Sequence, residues 1–292
     1  MITAVEILRE AVEKLKAADI DTPQLDAEVI LCNLLEVDRI KIHIYPEMEI
    51  SQEICRRFWI DVEKRLNYMP VQYIVHRQEF MGLDLWVEEG VLIPRGDTEI
   101  LVEKVLELYQ KHFSLQTIKV ADIGVGSGAI SLGIGSYIEN AKIYAVDVST
   151  KALEVARKNI LRHAMQKKVF LLEGSLFEPL REKKLEGSFE FIVSNPPYIP
   201  KDIIATLSKE VKDYEPTLAL AGGEDGLDFY RKIVEEAPDF LKEEGWLVFE
   251  IGYDQGGDLK KIMAKRGFVA IEVIKDLAGL DRVVIGRKPK NI

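Results

Sequence analysis

The chain has 292 residues, 47% hydrophobic and 30% charged; this length exceeds one ordinary domain, and the balance excludes disordered, collagen-like and membrane-spanning classes. Its net charge of −10 disfavours a protein that grips a long phosphate backbone. Cys32 and Cys55 lack a C-x-x-C spacing and read as reduced and structural, so the cytoplasm is the expected compartment.

Glutamates interrupt the apolar residues of the N-terminus, which therefore reads as neither a signal nor a transit peptide. Thr3 and Glu6 have the spacing of a capping box, and Val5, Leu8, Val12 and Leu15 recur at helical intervals behind them. Thr22-Pro23 predicts a second helix start, with Ala27, Ile30, Leu31, Leu34 and Leu35 on one face. A third helix is expected after Ser51, with Ile54, Phe58, Val62 and Leu66 as its stripe. Residues 1–70 thus read as a helical-bundle domain. The first 80 residues hold 10 basic and 15 acidic side chains, so a partner with a basic protein surface fits better than nucleic acid.

Two extended runs, 73–80 and 83–87, flank Met81-Gly82 and predict a β-hairpin inside a connector spanning 71–93. A helix is expected from Asp97. Strands at 118–123, 142–146, 169–172, 189–193 and 246–251 then alternate with helices at 129–138, 151–163 and 227–241, and strands at 269–274 and 282–286 close the series. That order predicts a doubly wound α/β catalytic domain over 94–292.

Gly124-Val125-Gly126-Ser127-Gly128 follows the first of these strands directly. Such a turn brings backbone N–H groups and a helix N-terminus to a ligand. Its G-x-G-x-G spacing differs from the G-x-G-x-x-G of dinucleotide sites, and no Gly-Lys-Ser/Thr follows to make a P-loop. Asp147 closes the second strand 19 residues after Gly128, where a carboxylate accepts both hydroxyls of a ribose. Asp122, just upstream of the turn, is placed to order it or to approach a cationic group.

Asn195-Pro196-Pro197-Tyr198 closes the fourth strand. Pro197 has no N–H and confines Pro196 to extended backbone, which fixes the direction of the Pro196 carbonyl. With the Asn195 side-chain oxygen it forms a pair of acceptors for the two N–H bonds of one planar NH2 group, and Tyr198 offers a flat face. An amide nitrogen is a weak nucleophile, whereas a sulfonium methyl is already activated, so the pattern points to methyl transfer that depends on geometry more than on a base. The four histidines are scattered and no metal is expected.

These motifs resemble the HemK-type (PrmC) release factor glutamine methyltransferases over nearly the whole chain. Pro70-Val71-Gln72-Tyr73-Ile74, Phe80-Met81-Gly82, Leu92-Ile93-Pro94-Arg95 with Thr98-Glu99, Glu215-Pro216, residues 222–227, Glu250-Ile251-Gly252 and the stretch from Asp276 to Arg282 carry the likeness beyond the two central motifs. The resemblance implies a class I S-adenosylmethionine-dependent methyltransferase fold, Rossmann-like with a seven-stranded, mostly parallel sheet. It also implies N5-methylation of the glutamine in the Gly-Gly-Gln loop of peptide chain release factors, with the helical domain aiding recognition. The sequence does not determine the oligomeric state, and a monomer is favoured. Gly124 to Gly128, Asp147 and Asn195 are then the residues expected to hold S-adenosylmethionine, with Leu176 and Phe177 flanking its adenine. Asn195, Pro196, Pro197 and Tyr198 are expected to hold the glutamine, with Asn195, Pro196 and Tyr198 as the catalytic set. The chain departs from the family at Gly96-Asp97, usually Pro-Glu, and at Ser175, usually aspartate. A methyltransferase acting on an exocyclic base amine, or on a glutamine of a ribosomal protein, presents the same loop to its substrate.

Overall fold

Thr3 starts the first helix as its spacing predicts: its hydroxyl accepts the Glu6 N–H at 3.4 Å, and the Glu6 carboxylate accepts the Thr3 N–H at 2.8 Å. Two N–H groups that a helix end leaves without partners are thereby satisfied. The computed structural model describes residues 2–290, in which this helix spans Ala4–Ala17. Its most buried face is Ala4, Ile7, Ala11 and Leu15, while Val5 and Leu8 are only partly covered. The small alanines, which the search for large apolar residues passes over, let the neighbouring Pro23–Leu35 helix pack closely. Thr22 does not cap that second helix; its hydroxyl donates to the Asp26 carboxylate at 2.8 Å.

A short helix, Arg39–Ile44, was absent from the sequence expectation, since six residues are too few to display a helical period. Ser51 caps the long helix Gln52–Leu66 as expected. Residues 73–75 differ from the sequence reading: Val71–Val75 is a helix. Tyr73 and Ile74 are buried, and Val71, Ile74 and Val75 pack on the bundle core, so tertiary burial overrides the strand preference of these β-branched and aromatic residues.

The chain forms two compact units. The first takes the residues up to Arg77 together with Val87–Glu89 and Ser208–Tyr214. Inside it, Arg65 is 2% exposed; its Nε donates to Asp26 at 2.6 Å, one Nη to the Met69 carbonyl at 3.2 Å, and the other Nη to Glu210. Burial works against the guanidinium charge, but the bonds from Asp26 and Glu210 outweigh it and hold the Arg65 pKa above its ordinary value.

The second unit takes Gln78–Trp86, Gly90–Leu207 and the chain from Glu215 onward. The hairpin Gln78–Phe80 with Leu83–Leu85 therefore belongs to this unit and is no free connector, because Phe80 and Leu85 are buried in its core. Its sheet has seven strands, numbered here as β1 Ile118–Ile123, β2 Ala141–Asp147, β3 Val169–Glu173, β4 Phe189–Ser194, β5 Leu241–Glu250, β6 Val269–Lys275 and β7 Asp281–Arg287, in spatial order β6-β7-β5-β4-β1-β2-β3. β1 to β5 run parallel, and β7 lies antiparallel to both β5 and β6. Strand alternation divides the apolar residues between the two faces. Val120, Phe191 and Val248 pack with helices Thr98–His112 and Ala129–Tyr137, whereas Ala121, Ile192 and Leu247 pack with Asp228–Phe240 and Gly256–Lys265. The last of these helices was not predicted. No helix among the described residues is long and apolar enough to cross a membrane.

Candidate active site

Strand order reverses between β1 and β4, which are neighbours, and a crevice opens at the carboxyl ends of strands where this happens. Asp122 of β1 stands opposite Val193 of β4, so Gly124 and Asn195 leave the sheet at the same level. The Ser194 hydroxyl donates to the Ile123 carbonyl at 2.6 Å and ties the two exits together.

Gly124 and Gly126 adopt φ of 84° and 55°, a region where L side chains are strained, and open space lies where a Cβ would project from either. That space is a cavity lined by Gly124 and Gly126, the β2 end at Asp147, Gly174 to Leu176 beyond β3, and Asn195, Pro196 and Pro197 beyond β4. Gly90 to Leu92, Pro216, Leu218, Ala219, Phe229 and Ile233 complete much of the wall. Asp147 accepts the Gly126 N–H at 2.9 Å through one oxygen and the Ser149 N–H at 2.9 Å through the other, so the carboxylate fixes the turn while remaining on the wall. Burial raises its pKa, against the pull of these backbone bonds.

Asp122 is fully buried and does not reach the wall. It accepts the Ser131 hydroxyl at 2.6 Å, its second oxygen has no hydrogen-bond partner, and burial pushes its pKa up to about 7. It ties the end of β1 to the Ala129–Tyr137 helix.

Several of the expected residues lie off the cavity wall. Val125 and Ser127 are buried away from the wall, as is Gly128 at the start of the following helix. The Ser127 carbonyl instead accepts from the Asn159 carboxamide at 2.9 Å. Phe177 does not flank the cavity: it is 0% exposed and stacked on Phe240 at 4.8 Å, because the left-handed turn at Leu176 directs the chain into the core. Leu176 alone of that pair lines the space, with Phe229 as the aromatic wall residue that the sequence did not single out. Tyr198 is also off the wall. It packs against the apolar cluster around Tyr230, and burial followed by the charge of Glu250 raises its phenol pKa to about 12. Arg95 pairs with the buried Glu215 and does not line the cavity.

The loop Asn195-Pro196-Pro197-Tyr198 and the adjoining Ile199 are braced by Leu220, Gly222 and Gln255. The Ile199 N–H donates to the Leu220 carbonyl and the Gly222 N–H to the Ile199 carbonyl, both at 2.9 Å, and Gln255 Nε2 donates to the Tyr198 carbonyl at 3.0 Å. A Cβ on Gly226, whose φ is 75°, would press on the Tyr198 carbonyl and lie 2.7 Å from Gln255 Nε2. Gly226→Ala is therefore expected to destabilise the second unit by about 2 kcal/mol, from left-handed strain and overpacking together. Chemical denaturation should show this together with a fall in kcat; a variant of unchanged stability would contradict the close approach.

Comparison with known proteins then decides the family. Residues 6–75 match the PrmC N-terminal domain and residues 97–209 the methyltransferase small domain. The chain is 41% identical to the release factor glutamine methyltransferase of Clostridium botulinum over 97% of its length and 98% of that protein's. The chain belongs to the release factor glutamine methyltransferase family. Another family member, from Thermodesulfovibrio yellowstonii, is 42% identical over 91% of this chain and 93% of its own. A methyltransferase structure from Pyrococcus furiosus shares the fold, with a TM-score of 0.52 at 23% identity over 78% of this chain and 98% of that one. Ser175, where this chain departs from the family's usual aspartate, lines the cavity.

Proposed function

We propose that the chain transfers a methyl group from S-adenosylmethionine to the side-chain amide nitrogen, N5, of the glutamine in the Gly-Gly-Gln motif of peptide chain release factors. The observation that carries this reading is the placement of the Asn195-Pro196 acceptors and the bare Gly124/Gly126 turn on one cavity, at the ends of adjacent parallel strands. The donor set fits the cofactor: bare backbone at Gly124 and Gly126, a carboxylate at Asp147 for ribose hydroxyls, and apolar Leu176 and Phe229 for a base. When bound, S-adenosylmethionine supplies an activated methyl whose sulfur is also the leaving group.

The remaining work is done by the loop. Asn195 Oδ1 and the Pro196 carbonyl each accept one N–H of the glutamine amide, which holds the nitrogen in line with the methyl. Both bonds strengthen as the nitrogen becomes tetrahedral and its N–H bonds more polar, so they favour the transition state over bound substrate. The proton leaves after the methyl arrives. Tyr198 and the bracing residues Leu220, Gly222 and Gln255 keep the acceptors stationary.

We further propose that the first unit contacts the basic surface of the release factor, that the enzyme acts in the cytoplasm as a monomer, and that nucleic acid is not its substrate, in keeping with a net charge of −10. Incubation with isotopically labelled cofactor and a release factor, ribosomal proteins or nucleic acid, followed by mass spectrometry, tests the assignment. Label is expected on the Gly-Gly-Gln glutamine. Label on a base, or only on a ribosomal protein, would overturn it.

A further inference from the structure

Two acceptors serve the proposed chemistry only if Asn195 presents its oxygen to the cavity, and a carboxamide can turn over by 180° and present NH2 in its place. Something must set that choice. Asn195 Nδ2 lies 3.5 Å from the hydroxyl oxygen of Thr98, a residue that does not line the cavity. Beyond them stands Glu250. In the parallel pairing of β4 and β5, Ser194 lies opposite Phe249, so Asn195 and Glu250 are level at the edge of the sheet. Glu250 is 2% exposed, Thr98 is 4% exposed, and the side chains of both Thr98 and Asn195 come near enough to the Glu250 carboxylate to lower its pKa. Its Oε2 atom has no hydrogen-bond partner. A buried carboxylate with spare acceptor capacity costs stability unless its position serves something else.

We infer that Glu250, with Thr98, is a positioning residue that holds the Asn195 carboxamide with its NH2 inward and its oxygen toward the glutamine substrate. This deepens the proposed function and rests on it for its catalytic consequence, though not for its structural one. An ionised carboxylate only accepts, so it selects the NH2 end of Asn195; a protonated one can donate to Oδ1 and select the opposite orientation. Burial pushes the Glu250 pKa up to about 7, against the lowering effects of Thr98, Arg282 and Asn195 and with a further rise from Asp97. Those groups, together with the Tyr198 and Tyr230 phenols, face it from the surrounding elements. Ionisation thus falls in the working pH range. The oxygen-out orientation is favoured above about 7 and lost as the pH falls through it.

The first test needs neither cofactor nor substrate. The side-chain NH2 signal of Asn195, assigned by its loss in Asn195→Ala, is expected to shift with pH around a midpoint near 7 in the wild type and to be flat in Glu250→Gln. A wild-type signal that does not move overturns the inference, whatever the enzyme methylates. In the second test, Glu250→Gln is expected to lower kcat about 10-fold, less than the 100-fold cost of a 1 Å misplacement, with the dissociation constant for S-adenosylmethionine unchanged. Added to Asn195→Ala, it should lower kcat no further, since both act through one side chain. Additive losses would mean that Glu250 acts elsewhere. Should Glu250→Gln fail to fold, Thr98→Val is expected to lower kcat severalfold with rescue by Thr98→Ser; equal rates in the two Thr98 variants would overturn the arrangement. A wild type inactive on release factors, combined with a titrating Asn195 signal, would sink the proposed substrate and leave the positioning intact.

Discussion

Asn195→Ala is expected to lower kcat on release factor by roughly 100-fold or more, while S-adenosylmethionine binds with nearly wild-type affinity. On the proposed mechanism the alanine removes one of two acceptors whose value lies in the transition state, and so removes stabilisation that bound substrate does not feel. The rest of the cavity wall remains, because Gly124, Gly126, Asp147 and Leu176 leave the sheet from other strands. Single-turnover rates with the variant saturated in cofactor, alongside calorimetric cofactor binding, separate the two effects. A loss confined to cofactor affinity would transfer Asn195 from the reaction to the binding of the methyl donor.

Arg65→Met is expected to destabilise the first unit by about 3–5 kcal/mol, because the shorter apolar side chain leaves the Asp26 carboxylate buried without its counter-charge. The Thr22 hydroxyl still donates to Asp26, but one neutral bond does not replace a guanidinium. Replacing both partners, Arg65→Met with Asp26→Leu, should recover much of the loss, since no buried charge is then stranded. Urea denaturation of the single and double variants tests this directly. If the single variant unfolds at the wild-type midpoint, Asp26 must find water or another cation, and the buried pair contributes little.

The sheet was legible because most of its strands are short apolar runs bounded by turn residues and because β1 to β5 alternate with helices, although the polar first half of β5, Leu241–Gly245, hid where that strand begins. The residues adjoining the site were less so. Asn195, Pro196, Gly124 and Asp147 declared themselves through spacing and position at strand ends. Phe177 misled because an aromatic beside Leu176 reads equally well as a cavity wall or a core side chain, and only the left-handed backbone at Leu176 decides between them. Tyr198, expected to present its ring to the substrate, is partly buried and packs on the apolar cluster around Tyr230. Gly226, Gln255 and Phe229 reach the site from separate loops and helices. Their proximity to Asn195 depends on how β5 and the Asp228–Phe240 helix pack, which no local pattern encodes.

Ser208–Tyr214 lies between the reacting loop and the wall residue Pro216 in sequence, yet it folds with the helical bundle and supplies Glu210 to Arg65. A bundle excised at Arg77 would leave that segment behind and lose one of its internal anion partners. Swapping helical bundles among relatives would thus require moving three separate stretches of gene, and a single-crossover chimera would inherit a mismatched seam. The bundle and this insertion are therefore expected to diversify together.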